Sequence, residues 1–298
     1  MPRALSPLHL LLAIAVMAVW GTNFVVIKAA LEHLPSLLLA ALRFTFVFLP
    51  LAFFLKKPNL PWRTLAAYGL LIGAGQFGVL FVAMKHDISP GLASLVIQTQ
   101  VFFTIGLAMT VNRERVMSYQ WAALALAALG LGVIIFKTDA SATPLGIALT
   151  LLAAANWAGG NIVARSAKID NMLAFIVWSG LFAAPPLFIA SLIFEGWPAI
   201  EHGVVAADAG TWAAVLWQSV GNTMFGYGVW GWLLSRYPAA LVTPWALLVP
   251  IFGMGAALVW DHEAMPAWKL IAAGLVMSGL ALNVLGPRLR FGAVSAPR

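Results

Sequence analysis

Ten apolar stretches follow one another along the chain, separated by short polar breaks. They fall near residues 8–31, 35–55, 62–84, 90–111, 117–137, 143–165, 171–194, 212–235, 238–260 and 266–287. Runs of about 20 apolar residues match a bilayer's thickness, and in lipid a helix satisfies all of its own backbone polar groups. The pattern predicts an all-α integral membrane protein with ten transmembrane helices. Pro35, Pro61, Pro90, Pro144, Pro238 and Pro266 stand at or near span starts, where a missing N–H costs least. The longest break, about 195–211, carries Glu195, Glu201 and Asp208 and reads as a loop. The first apolar run continues to Leu31 without a small-residue cleavage site, so it reads as a span and not a leader.

Composition narrows the class. The 298 residues are 62% hydrophobic and 9% charged, far below the roughly 25% charged share of soluble domains. With no cysteine, thiolate metal sites and cysteine nucleophiles are excluded. The formal charge of +7 reads as membrane topology, not nucleic-acid binding. An even number of spans puts both termini on one side. That side carries Arg3, Lys56, Lys57, Arg63, Arg113, Arg115, Arg165, Lys168, Arg236, Arg288, Arg290 and Arg298, whereas the other carries only Lys28, Lys85, Lys137 and Lys269. The bias predicts cytoplasmic termini in a multi-pass protein.

The two halves align by residue. Trp20 matches Trp157, Pro50 matches Pro185, Phe77-Gly78 matches Phe225-Gly226, Pro90 matches Pro238, Glu114 matches Glu263 and Gly130 matches Gly279. The offset rises once, where the 195–211 segment is inserted. Five spans per half, residues 1–138 and 139–298, force the second copy to lie upside down relative to the first. Such inverted repeats hold their solute near the bilayer midplane. Pro50, Pro185-Pro186, Pro244 and Pro250 interrupt spans 2, 7 and 9 and free carbonyls that can line a cavity.

Polar side chains at membrane depth are few and costly unless they pair or face water. Trp20, Asn23 and Phe24 share a face of span 1, and Trp157 and Asn161 share a face of span 6. Gln76, Gln98, Gln218 and Asn222 add amides from spans 3, 4 and 8. Gln98 and Gln100 differ by about 200° on an α-helix, so only one is expected to face a common cavity, and Gln98 shares its face with Ser94 and Gly91. The expected cavity wall is Trp20, Asn23, Gln76, Gln98, Trp157, Asn161, Asn222, Tyr227 and Trp245. The competing reading of each amide is helix-to-helix hydrogen bonding, and of each deep Trp plain packing. Arg43, deep in span 2, either clamps a carboxylate or bonds helix groups. Glu114 and Glu263 are expected to cap helices 5 and 10. No Asp or Glu falls inside a span, which leaves proton coupling through a buried carboxylate unsupported. His9, His33, His86, His202 and His262 all lie at or beyond span ends, so neither a metal site, a cofactor nor an intramembrane enzyme is expected. A channel or a non-transporting scaffold would use the same spans.

Several stretches together resemble the EamA-type exporters of the drug/metabolite transporter superfamily. They are Trp20-Gly21-Thr22-Asn23-Phe24, Leu42-Arg43-Phe44, Pro90-Gly91-Leu92-Ala93-Ser94 with Gln98-Thr99-Gln100, Gly160-Asn161-Ile162, Gly226-Tyr227-Gly228-Val229-Trp230-Gly231 and Leu247-Leu248-Val249-Pro250. The resemblance implies an exporter of amino acids and related metabolites in the cell inner membrane, with two antiparallel five-helix repeats around a central cavity. Within the family the likeness is to the cysteine and O-acetylserine exporter type, with the aromatic amino-acid type second. Trp245-Ala246 and Asn156 depart from the first of these at the pocket.

Overall fold

The computed structural model describes residues 5–112, 117–137, 141–167, 169–237 and 239–291; Glu114 and Pro238 lie outside them. Among the described residues every regular element is helical, and the one strand-like pairing is an isolated bridge between Ile88 and Ala142. Eight helices are long and apolar enough to cross a membrane. They are α1 (Pro7–Leu31), α3 (Trp62–His86), α4 (Pro90–Thr110), α5 (Ser118–Lys137), α6 (Pro144–Ser166), α7 (Met172–Glu195), α10 (Thr243–Trp260) and α11, whose helix runs Ala267–Phe291. The shorter apolar α2 spans Ser36–Ala52. A continuous helical run at 209–236, α9, carries enough Ser, Thr, Asn and Gln to lower its hydropathy.

The 195–211 segment is not a loop. It folds as α8, Trp197–Ala206. Gly196 turns the chain at φ +80°, a conformation natural to glycine, and Pro198 in the first turn fixes the helical φ. Gly203 lets α8 lie on the α1–α2 turn, since a Cβ there would come within 2.7 Å of Pro35 and 2.9 Å of the His33 carbonyl. The side chain of Asp208 then accepts the Thr211 N–H at 2.7 Å and starts α9.

Polarity is arranged for lipid. Phe53, Phe54, Phe136, Phe194 and Val205 are each at least 80% exposed, while Asn23, Arg43, Gln76, Gln218 and Asn222 are buried. The helices pack in reciprocal pairs: α2 on α7, α5 on α11, α4 on α10, α1 on α10 and α4 on α6. Gly21 permits the α1–α10 approach, because a Cβ there would meet Phe252 Cβ at 2.5 Å and the Val249 carbonyl at 2.6 Å. Two nine-residue π-helical stretches occur, Leu70–Gly78 in α3 and Trp217–Phe225 in α9. Short segments of 3-10 helix interrupt α4 at Ile97–Thr99 and open α10 at Thr243–Leu247.

Candidate functional site

A cavity of about 810 Å³ runs from the middle of the helix bundle to one end. Its inner part is apolar, with Phe24, Ile27, Leu80, Ile97 and Val249. Its middle carries Trp20, Asn23, Gln76, Gln98, Gln100, Trp157, Asn161, Asn222 and Tyr227. Its mouth is formed by Asp170 and Asn171, after α6, and by Ser235 at the end of α9, all exposed. Eight of the nine residues expected from the sequence therefore share one wall. Trp245 does not. It packs into the two apolar clusters instead, and its neighbours Ala246 and Val249 face the cavity. The 3-10 turn at Thr243–Leu247 changes the face that a straight helix would give this tryptophan.

Gln98 and Gln100 both line the cavity, contrary to the α-helical expectation. Between them Ile97–Thr99 is a 3-10 turn, which narrows their angular separation from about 160° to about 120° the short way round. Gln100 Oε1 accepts the Asn161 Nδ2–H at 2.9 Å, tying α4 to α6. Sequence reasoning also passed over Tyr68, Trp230, Asp170 and Asn171. For Trp230 the signal was present, since it lies in the Gly226–Gly231 stretch, three residues from Tyr227.

The π-helical stretches set the polar layer. A π turn inserts an extra residue and re-aims the side chains that follow it. In α9 the stretch holds Gln218, Ser219, Asn222 and Thr223, and in α3 it holds Gln76. The Asn222 carbonyl accepts the Trp20 indole N–H at 3.1 Å, and Trp20 meets Tyr227 and Trp230 at ring distances of 5.1 and 5.6 Å. Arg43 lies behind this wall, 1% exposed. It donates to Gln218 Oε1 at 2.9 Å, Asn222 Oδ1 at 2.8 Å and Thr223 Oγ1 at 3.2 Å, and its guanidinium lies 3.7 Å from the centre of the Phe77 ring. Asn23 Nδ2 donates to the same Gln218 Oε1 at 3.2 Å.

At the other end charged side chains tie the helix ends together. Glu195, at the end of α7, accepts the N–H groups of Leu37 and Leu38 at the start of α2, which has no side-chain cap of its own. Glu263 accepts the Gly91 N–H at 2.9 Å and the Ser89 hydroxyl at 2.6 Å, and pairs with buried Lys269 at 2.9 Å. It thus caps α4, not the start of the last helix as the sequence suggested. Lys28 meets Asp261 at 2.7 Å. Lys85 donates to the Leu31 and Leu34 carbonyls.

Comparison with known proteins follows the same outline. The EamA-like transporter family model matches residues 7–136 and 144–285. The chain belongs to this family. A probable amino-acid metabolite efflux pump of Salmonella typhimurium (strain LT2) is 42% identical over 285 residues, covering 94% of this chain and 95% of the relative. The protein of the same name from Escherichia coli (strain K12) is 40% identical over the same share. A probable terminal-alkyne amino-acid exporter of Streptantibioticus cattleyicolor is 24% identical, covering 88% of this chain and 89% of its own. A solved crystal structure shares the fold with a TM-score of 0.64, at 19% identity and over 94% of this chain and 97% of that one. The EamA-like fold, then, is carried here by a multi-pass helical membrane protein. Among the described residues no group of three or more His, Cys, Asp or Glu could hold a metal.

Proposed function

We propose that the chain exports amino acids and related small metabolites across the cell inner membrane by alternating access. The observation that carries this reading is the one-ended cavity: about 810 Å³, within the size range of small-molecule sites, walled by aromatic rings and amides. The names of the 40–42% identical relatives supply the solute class. A channel would need a continuous polar path, whereas this cavity ends under Phe24, Ile27 and Leu80 and the cross-half carboxylate caps. A scaffold has no use for an open cavity of this volume lined by amides.

The mechanism follows from two copies of one five-helix unit in opposite orientations. Supporting it are the corresponding π-helical and 3-10 segments, the reciprocal helix pairs and a family model that matches each half separately. Ten crossings follow if α2 and α9 span with the eight longer helices. The basic residues Arg165 and Arg236 flank the open mouth, so on the positive-inside rule the cavity faces the cytoplasm and the termini lie there too. Rocking the halves would break the caps at Glu195 and Glu263 and open the far end.

Purified protein in liposomes should take up labelled amino acids faster than empty liposomes, in a saturable way, across a panel of the common amino acids and O-acetylserine. Uptake equal to that of empty liposomes across the whole panel would rule the reading out, and non-saturating flux would assign a channel.

A further inference from the structure

The polarity of the amide wall is fixed by one residue outside it. A guanidinium has donors and no acceptor, so the atoms facing Arg43 on Gln218 and Asn222 must be their oxygens. Both distances, 2.9 and 2.8 Å, are those of charge-assisted bonds. Once Asn222 Oδ1 is committed to Arg43, its Nδ2 has no partner among the described residues and is not enclosed; Asn222 lines the cavity. The wall therefore presents a fixed N–H donor with a buried cation directly behind it.

Among the described residues that cation has no counter-ion. The groups holding Arg43 are the neutral Gln218, Asn222 and Thr223 and the Phe77 ring, and among the described residues the spanning helices carry no Asp or Glu apart from Glu195, at the very end of α7 and bonded to the start of α2. A charge at membrane depth without a partner of opposite sign is costly, and such residues mark solute paths. The geometry points to a carboxylate subsite at Asn222 Nδ2, in which the solute's carboxylate is the missing counter-ion. Arg43 is its positioning residue: it sets the direction of the amide and supplies the field. This rests on the transport reading above and adds which end of the solute is read, and by which atom.

The test uses the full-length protein in liposomes and the panel amino acid taken up fastest, competed by the same amino acid unlabelled or by its carboxamide. The carboxamide keeps the side chain and the ammonium but carries no negative charge. For the unsubstituted protein it should compete about tenfold or more weakly than the amino acid, as expected where a site is built to bond the missing group. Arg43→Gln should shrink that ratio to about threefold or less, by raising the half-saturation for the amino acid alone. Arg43→Lys, which keeps the charge but not the fork, should retain part of the discrimination. Asn222→Asp should place a carboxylate against Arg43 and reverse the preference toward the carboxamide. A purely packing role for Arg43 predicts that both competitors weaken by one factor. An unchanged ratio in Arg43→Gln, or in Asn222→Asp where the first variant cannot be recovered folded, overturns the subsite while leaving amino-acid transport standing. Failure of the unsubstituted protein to move any amino acid would instead remove the transport reading itself.

Discussion

Trp20 couples three groups of the cavity wall, and its replacement separates packing from hydrogen bonding. Its indole N–H bonds the Asn222 carbonyl in the π-helical stretch, and its ring packs in tilted geometry against Tyr227 and Trp230. Trp20→Phe keeps most of the apolar area but removes the indole hydrogen bond to that carbonyl, a loss of about 0.5–1.5 kcal/mol. Half-saturation for the transported amino acid should rise while the protein still folds, which uptake kinetics and thermal denaturation in detergent would check together. Gly226→Ala tests the same contact from the other side, because a Cβ there would collide with Trp20 Nε1. Overpacking of this kind typically costs about 1–3 kcal/mol, so the denaturation midpoint should fall. At this scale the sequence is informative where the backbone is regular. Trp20 with Asn23, and Trp157 with Asn161, share a face by plain α-helical spacing and line the cavity as that spacing implies. Gln100 and Trp245 go the other way because each lies at or beside a 3-10 turn, and periodicity read from a sequence assumes one period throughout.

Helix ends show the same division. α1, α6 and α9 start on Ser6, Thr143 and Asp208, whose side chains accept an N–H three residues on, and such local caps are visible in a sequence. α2 and α4 take their caps from Glu195 and Glu263, more than 150 residues away along the chain, so no local signature could reveal them. The Glu263–Lys269 pair is the stronger candidate for holding the closed end, since both side chains are almost fully buried, whereas Lys28 in the Lys28–Asp261 pair is 42% exposed. An exposed pair contributes about 0–1 kcal/mol, but removing one partner of a buried pair costs about 3–5 kcal/mol by stranding the other charge. Lys269→Met should therefore lower the thermal midpoint by several degrees, while Asp261→Asn should barely move it. Adding Glu263→Gln to Lys269→Met should restore part of the loss, because no lone charge then remains. Strict additivity of the two substitutions would argue against this coupling.

At the scale of the whole molecule, the apolar pattern alone carries the membrane class, since the exposed surface is built of the Phe, Leu and Val side chains that a soluble fold would hide. The helical 195–211 segment escaped the pattern because ten residues with two buried positions leave little periodic signal. Which end of the cavity is open cannot be read from hydropathy, because it depends on how the helix ends pack against one another. The absence of cysteine makes that state directly measurable, since single cysteines can be introduced without a background. Ser235 stands at the exposed mouth, and Asp261 at the opposite end, bonded to Lys28. With the mouth cytoplasmic, Ser235→Cys should react with a membrane-impermeant maleimide in inverted membrane vesicles and resist it in intact cells. Asp261→Cys should show the reverse sidedness. Labelling of Ser235→Cys from outside intact cells would invert the orientation assigned from the basic residues. A deeper reporter, Asn23→Cys, tests the alternation itself. It should be reached from the cytoplasmic side in the state described here, and from the outer side only when the caps at Glu195 and Glu263 are released. Saturating amino acid should therefore change the rate of labelling of Asn23→Cys from each side in opposite directions. Parallel changes on both sides would indicate shielding by bound solute without alternation of the two halves.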